Sequence, residues 1–246
     1  MPDDSLEVLE KHLQKIRSSE LDPITRIIWQ SLGEIIAKTA ISYISKGDHV
    51  LDVGCGGADL LITLSGEGAE CYGVDPLRKV SLLRAKENVN KENVKIHLSQ
   101  AVGEGLPFKA NSFNMVLLLS TLQHVSDQEK VLGEIRRVLK TNGILIASVP
   151  TSRNISTLFR ESKKPEHFTR NFSLAEFKEI LKAEGFKIIK VRGGAFFPPL
   201  TLHALYICRR LFGDKVTRKL IDGSNFFAEA MPATAGSVLA VCRKRE

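Results

Sequence analysis

Five short apolar runs dominate the first 150 residues of the chain, and segments with helical spacing lie between most of them. Buried parallel strands have nearly continuous apolar sequences, and strand–helix alternation is typical of right-handed βαβ units. The pattern therefore predicts an α/β fold with a doubly wound sheet. The runs are HVLDV (49–53), ECYGV (70–74), KIHL (95–98), FNMVLLL (113–119) and GILIASV (143–149). The helical segments are about 57–66, 77–89 and 126–140.

Further elements flank this pattern on both sides. Residues 21–44 predict a helix with Asp22 as its cap and Pro23 in its first turn. Residues 173–185 predict a second helix, capped by Ser173. The last two strand candidates are 186–191 and 236–243. Between them the sequence predicts one very apolar helix and a shorter basic one.

The segment 126–140 carries its apolar residues on one helical face. These residues are Val131, Leu132, Ile135, Val138 and Leu139. Asn142–Gly143 predicts the turn that ends this helix.

Composition narrows the class of protein. The length of 246 residues, with 43% hydrophobic and 26% charged residues, suits one large α/β domain with an ample core. Four widely spaced cysteines form no C-x-x-C pair, so we expect neither disulfides nor a zinc site. The N-terminus lacks the apolar core of a signal peptide, and no segment is apolar enough to span a bilayer. We therefore expect a cytoplasmic protein.

The net charge of +7 admits an anionic partner. However, lysines and arginines are interleaved with acids along the chain, a pattern typical of a solvated surface. We therefore do not expect a nucleic-acid partner, and the sequence leaves the oligomeric state open.

The stretch HVLDVGCGGADLL (49–61) joins a strand to a helix through glycines. Gly54 and Gly56 fit the first two glycines of the dinucleotide fingerprint, but Asp59 stands where that fingerprint needs a small residue. A carboxylate near the helix start also opposes a pyrophosphate, and no G-K-[ST] follows. The loop is therefore not built for phosphates. Its distinguishing feature is Asp52, an acid just before Gly54 at the end of the strand.

This acid–x–Gly–x–Gly loop resembles the motif of class I S-adenosylmethionine-dependent methyltransferases. The resemblance implies that Asp52, Gly54, Cys55 and Gly56 face the methionyl part of S-adenosyl-L-methionine. Asp75, in YGVDP at the end of the second strand, matches the acid that bonds both ribose hydroxyls in that family. The alternatives are a solvated Asp52 beside a glycine turn, and an Asp75 that caps the following helix.

The resemblance extends over about residues 45–192 and is closest to the small-molecule branch of the family. The matching residues are Glu104, Leu106, Pro107, Phe108, Asn111, Ser112, Phe113, Leu122, His124 and Val125. Ala58 departs from the usual last glycine of the loop, from which we expect a modest effect. Val102 stands where relatives often have an acid that binds the adenine amino group. Backbone groups at Ala101–Gly103 and apolar stacking then hold the adenine, with Glu104 as the alternative.

The complete set of predicted cofactor contacts follows from this match. It comprises Asp52, Gly54, Cys55, Gly56, Asp75, Pro76, Ala101, Val102, Gly103 and Leu119. His124 is the candidate catalytic base, because it follows the fourth strand where ligands bind in open α/β sheets. A structural role for this histidine is the alternative, and the family slightly favours it. Gln123 stands where a metal site would need a carboxylate, so we expect no metal.

The resemblance implies a single methyltransferase domain over 1–246. Its parts are a helical cap (1–45), the cofactor-binding core (46–150), an acceptor-side insertion with helices (151–235) and the last strand (236–246). The insertion carries two apolar stripes, one with Leu200, Ala204, Ile207 and Leu211, the other with Leu202, Leu205 and Tyr206. Two such stripes predict burial on both sides, or one face left for a lipid-like acceptor or the membrane surface. Arg209 and Arg210 close this helix and offer charges to an anionic head group.

The predicted function is methyl transfer to oxygen or carbon of a small or lipid-like acceptor, such as a quinone or polyprenyl precursor. An RNA methyltransferase, an NAD(P)-dependent oxidoreductase and a non-catalytic protein that binds the cofactor are the alternatives.

Overall fold

The computed structural model describes residues 23–151, 170–194 and 201–245, and the strands in these ranges form one seven-stranded sheet. The strands are β1 (His49–Val53), β2 (Glu70–Val74), β3 (Ile96–Ser99), β4 (Phe113–Leu119), β5 (Leu139–Pro150), β6 (Phe186–Gly194) and β7 (Ser237–Lys244). Their order across the sheet is β3-β2-β1-β4-β5-β7-β6. β7 runs antiparallel to both of its neighbours, β5 and β6, and the other four pairs of neighbouring strands are parallel. The predicted doubly wound α/β fold is confirmed.

Helices connect the strands and cover both faces of the sheet. They are α1 (Pro23–Ile41), α2 (Asp59–Gly66), α3 (Leu83–Lys91), α4 (Gln128–Val138), α5 (Leu174–Ala183) and α6 (Thr201–Ala230). Shorter turns are Arg78–Leu82, Leu122–His124 and Pro232–Thr234. α5 begins as the sequence predicts, because the Ser173 hydroxyl accepts from the Glu176 N–H while the Glu176 carboxylate accepts from the Ser173 N–H. Among the helices described, none is long and apolar enough to cross a membrane.

Two apolar clusters pack against the two faces of the sheet, and the strands contribute alternate residues to each. In β1, Leu51 and Val53 belong to one cluster and Val50 to the other. Helices α4 and α5 complete the first cluster, and α2 and α3 complete the second. Because both faces are covered, the central strands are mainly apolar, and this explains why β1, β2 and β4 have the bounds that the sequence predicts.

The junction between α4 and β5 differs from the prediction. α4 ends at Val138, because the carbonyls of its last two residues leave the helical pattern. The Arg137 carbonyl accepts from the Asn111 N–H, and the Val138 carbonyl accepts from the Ser112 N–H. Leu139 already belongs to the strand, where it pairs with Phe113. Asn142 has a φ of 63°, so the predicted Asn142–Gly143 turn is present as a bulge inside β5.

The predicted helix 77–89 also begins differently. It opens with a π-helical turn, Arg78–Leu82, before α3. The N–H groups of Ser81 and Leu82 both donate to the carbonyl of Leu77, and this shared acceptor widens the first turn.

The helical region before β7 departs furthest from the prediction. α6 is broken at Gly213, where φ is 78° and ψ is −178°, and the part after the break extends to Ala230. The second helix is therefore not the shorter one. Ile207 and Leu211 of the first stripe are 60% and 67% exposed, whereas Leu205 of the second stripe is buried. Burial on both sides is thus wrong for the described side chains.

The other face of α6 holds the N-terminal helix α1. Ile24 and Ile27 of α1 form a cluster with Leu205 and Ile221 of α6. Beside this cluster the Asn225 amide donates to the buried Ser31 hydroxyl over 2.8 Å. α1 therefore packs on α6. The Asp22 cap, the acidic N-terminus and most of the predicted insertion after residue 151 lie outside the described residues.

Candidate cofactor site

The strand order reverses at β1, which pairs with β2 on one side and with β4 on the other. Connections that leave the carboxyl ends of β1 and β4 go to opposite faces of the sheet, so a crevice opens between them. Ligands of open α/β sheets bind in this crevice. The glycine loop after β1 begins at this point of the fold.

The glycine loop is held tightly against both neighbouring strands. The N–H groups of Gly54 and Cys55 donate to the carbonyl of Val74 over 2.8 and 3.0 Å. Gly54 has a φ of 82°, and a Cβ added there would lie 2.3 Å from Oγ1 of Thr121. Because Thr121 follows β4, Gly54 and Thr121 join the two sides of the crevice. Glycine is therefore required here by conformation and by space.

Ala58 ends the loop and is the residue before α2. It is fully buried and has a φ of 60°, a left-handed conformation that alanine rarely adopts. The left-handed backbone at this position accounts for the glycine of the motif that the loop resembles. Alanine at this position therefore costs conformational strain.

Asp52 is the acid at the carboxyl end of β1, and it is 5% exposed. Its Oδ1 has no hydrogen-bond partner among the described residues. Burial, and then the nearby Asp75, raise the pKa of Asp52 from 3.8 to about 7. A buried carboxylate in this condition is stabilised by any cation or donor that enters the crevice.

Asp75 follows β2 and connects two loops. Its Oδ2 accepts from the Gly56 N–H over 3.0 Å, and its Oδ1 accepts from the Leu77 N–H over 2.9 Å. Asp75 thus stabilises the bend at Pro76, but it does not cap the helical turn Arg78–Leu82, whose cap residue is Leu77 and which has no side-chain cap hydrogen bond. Each carboxylate oxygen can accept a second hydrogen bond, so the carboxylate is still able to bind a diol. The Pro76 carbonyl accepts from the amide of Gln100.

The segment after β3 carries the predicted adenine contacts. Ala101, Val102 and Gly103 are half-buried, and the Val102 carbonyl accepts from the Gly105 N–H over 3.2 Å. Glu104 accepts a hydrogen bond from the Ser126 hydroxyl, so its carboxylate is engaged within the chain. This favours the backbone and apolar groups of Ala101, Val102 and Gly103 over the Glu104 carboxylate as the groups that contact an adenine ring.

The segment after β4 carries Leu119, Thr121, Gln123 and His124. Leu119 ends the strand, and its carbonyl accepts from the Thr121 hydroxyl over 3.1 Å. His124 ends a 3₁₀ turn and is half-buried. Gln123 is 6% exposed, and no described residue bonds its Oε1. The turn after β4 therefore holds a second buried oxygen that has no hydrogen-bond partner among the described residues.

The structure brings Asp52, Gly54, Gly56 and Asp75 together at one edge of the sheet, and it connects Pro76 to the segment after β3 through Gln100. Sequence reasoning missed two groups at this edge. Thr121 carries no local signal, because its contact with Gly54 depends on the pairing of β1 with β4. The amide of Asn88 donates to the Gly57 carbonyl from α3 and supports the loop from outside. In the described ranges no three His, Cys, Asp or Glu residues cluster as a metal site would need.

Comparison with known proteins defines the class. A family model described as a methyltransferase domain matches residues 51–147. Demethylmenaquinone methyltransferase from Lactobacillus johnsonii is 33% identical over 184 residues, which cover 62% of this chain and 74% of that protein. Ubiquinone biosynthesis O-methyltransferase from Azorhizobium caulinodans is 28% identical over 164 residues, which cover 62% of this chain and 64% of that protein. The chain thus spans just under two thirds of this second relative.

The solved structures agree in fold. A possible histamine N-methyltransferase from Thermotoga maritima superposes with a TM-score of 0.65 at 19% identity, over 98% of this chain and 100% of that one. The chain belongs to the methyltransferase domain family, within the class I S-adenosylmethionine-dependent methyltransferases. The resemblance found in the sequence is confirmed.

Proposed function

We propose that the chain binds S-adenosyl-L-methionine at the crevice between β1 and β4 and transfers its methyl group to a small or lipid-like acceptor. The observation that carries the proposal is Asp52, a buried carboxylate with an open Oδ1 beside a glycine loop at the point where the strand order reverses. This group fits the amino end of the cofactor, which carries positive charge. Family membership supports the same cofactor.

Different residues on this edge would bind different parts of the cofactor. Asp52 and the backbone of Gly54, Cys55 and Gly56 would hold the methionyl part, and Asp75 would hold the ribose. Ala101, Val102, Gly103 and Leu119 would enclose the adenine, with Pro76 beside it. When bound, the cofactor supplies a methyl group on a positively charged sulfur, already activated for displacement. The chain contributes alignment and the exclusion of water.

The acceptor we propose is a quinone precursor or a compound of similar size and polarity. Two similar proteins carry the names of a demethylmenaquinone and a ubiquinone-biosynthesis methyltransferase, and this supports the class of acceptor. If the acceptor is a hydroxyl, its oxygen gains the methyl group and its proton must leave. His124, in the turn after β4, is our candidate for taking that proton. A carbon acceptor activated by a neighbouring hydroxyl needs no such base.

Cofactor binding is tested by calorimetry with S-adenosylhomocysteine on wild type, Asp52→Asn and Asp48→Asn. Asp48 lies just before the other end of β1, where its carboxylate accepts from the Ser45 N–H, so it is a matched control. We expect a loss of at least about tenfold in affinity for Asp52→Asn, the cost of one charged hydrogen bond, and little change for Asp48→Asn. Stabilisation of the wild type by NADH instead of S-adenosylhomocysteine would refute the proposal.

The acceptor is tested by incubating the enzyme with methyl-labelled cofactor and a cell extract, then separating lipids from the aqueous phase. Label in the lipid phase supports a lipid-like acceptor. Label confined to RNA, with binding that weakens as salt rises, would instead support the RNA alternative.

The role of His124 is tested by comparing the methyl-transfer rate of His124→Gln with that of His97→Gln, which changes an exposed histidine on β3. A rate that falls only for His124→Gln and becomes independent of pH supports a base, and an unchanged pH profile supports a structural role.

A further inference from the structure

The long helix α6 has two faces of opposite character. Its inner face packs on α1 through Leu205 and Ile221. Its outer side carries large apolar side chains that are between 41% and 72% exposed. We call these residues the outer face of α6: Ile207, Leu211, Phe212, Val216, Leu220, Phe226 and Phe227. Soluble proteins rarely expose so many large apolar side chains on one element unless something covers them.

The break at Gly213 brings the two halves of α6 side by side. The Thr217 hydroxyl contacts the Cys208 sulfur at 3.9 Å, and Arg209 pairs with Asp214 over 2.7 Å. Leu205 and Ile221 belong to the same cluster, so the halves run antiparallel. In that alignment residue 207 lies level with 220, and 211 with 216. The exposed residues of both halves lie outside the buried cluster that Leu205 and Ile221 form with α1.

The charges on α6 are not balanced. Its three acids are all paired with arginines: Asp214 with Arg209, Asp222 with Arg218, and Glu229 with Arg192. Three further cations, Arg210, Lys215 and Lys219, are exposed and have no ion-pair partner among the described residues. An apolar surface bordered by free cations, with every nearby acid neutralised, has the chemistry of a helix that lies on anionic lipid.

We propose that the outer face of α6 is a docking surface for a bilayer that contains anionic lipids. The apolar side chains enter the boundary between head groups and acyl chains, and the three cations contact lipid phosphates. A second copy of the chain fits less well, because a two-fold interface would set the same free cations against each other. The proposal is independent of the cofactor, since docking uses no residue of the crevice.

Sedimentation of the full chain with vesicles tests the proposal, without cofactor present. We use vesicles of phosphatidylcholine alone and of equimolar phosphatidylcholine and phosphatidylglycerol. Wild type is expected to bind the anionic vesicles and to dissociate as salt rises. Lys215→Gln with Lys219→Gln is expected to weaken binding about fivefold for each charge. The control pair is Lys86→Gln with Lys91→Gln, exposed lysines of α3.

The apolar contribution is tested by Leu211→Ser with Phe227→Ser, against Leu83→Ser with Ile189→Ser as control. All four residues are exposed, so circular dichroism and thermal unfolding should show that the variants fold. The outer-face pair is expected to bind at least about tenfold more weakly, and the control pair as wild type does. The proposal is overturned if wild type does not bind anionic vesicles. It is also overturned if the outer-face pair and the control pair lose vesicle binding to the same extent. So does a stable dimer that Leu211→Ser with Phe227→Ser dissociates while vesicle binding is absent.

Discussion

The loop after β1 and the helix α6 each turn at a glycine with positive φ, but the surroundings of the two glycines differ. An added Cβ at Gly54 (φ 82°) would come within 2.3 Å of Oγ1 of Thr121. At Gly213 (φ 78°) nothing lies within 4 Å of that position. The loop thus needs glycine for conformation and for space, whereas α6 needs it for conformation alone.

The loop after β1 and the helix α6 also differ in the sign and burial of their unpaired charged groups. Asp52 is buried, and its Oδ1 has no hydrogen-bond partner among the described residues. On α6 the acids are paired, and the open charges are cations on an exposed apolar surface. A buried acid without a partner suits a ligand that binds inside the fold. Unpaired cations on an exposed apolar face suit a partner that lies against the outside of the protein. The predictions below separate these two arrangements.

The largest expected effect is the pH dependence that Asp52 gives to stability. Because burial raises its pKa from 3.8 to about 7, the folded protein keeps a proton that the unfolded chain loses between these values. The contribution of Asp52 is therefore complete below about pH 4 and is lost as the pH rises to about 7, a change of about 4 kcal/mol. Urea unfolding across this range measures it.

The Asp52→Asn variant is the control for this slope. It has no proton to lose, so its free energy of unfolding should fall less than that of wild type between pH 4 and 7. A bound cation should remove the same slope, because it favours the ionised carboxylate. Identical pH profiles for wild type and Asp52→Asn would contradict the assignment of an open, buried acid.

Gly54→Ala should be the next largest effect. Left-handed strain and the clash with Thr121 together cost about 3 kcal/mol, and the shifted loop should also lose cofactor affinity. Urea unfolding and calorimetry measure the two losses. Gly66→Ala is the control, because it lies in α2 with open space at its Cβ position. If Gly54→Ala kept full affinity, the tight junction between β1 and β4 would not matter for the ligand.

Gly213→Ala should reduce stability but not cofactor affinity. The backbone at φ 78° and ψ −178° is nearly restricted to glycine, at a cost of about 2 kcal/mol for alanine, and no clash adds to it. A smaller drop in melting temperature than for Gly54→Ala, with unchanged calorimetry, is the expected pair of results. A loss of cofactor affinity would show that α6 and the crevice are coupled.

Much of the fold follows from the sequence because the core strands have simple surroundings. β1, β2 and β4 are covered on both faces, so their apolar runs end where burial ends. The turn at Asn142 was visible, but its position within β5 was not, since the backbone of Asn111 and Ser112 ends α4 early. Local patterns predict an element, and neighbouring strands decide its limits.

The candidate site is divided in the same way. Asp52, Gly54 and Asp75 belong to a motif that is local in sequence, so they can be found without a structure. The contact of Gly54 with Thr121 depends on β1 lying beside β4, which sequence periodicity does not encode. The exposure of Ile207 and Leu211 likewise depends on which face of α6 meets α1. An apolar stripe has the same pattern whether it is buried or open.

Ala58→Gly should have the smallest effect, and its size follows from opposed contributions. Glycine relieves left-handed strain of about 1 to 2 kcal/mol at a φ of 60°. It also removes a fully buried methyl group, worth about 0.8 kcal/mol, and makes the unfolded chain more flexible by about 0.4 to 1 kcal/mol. The free energy of unfolding should therefore change by less than about 1 kcal/mol, with cofactor affinity unaltered. A stabilisation above about 2 kcal/mol would mean that Ala58 strains the whole loop, and that the relatives' glycine serves more than its own backbone.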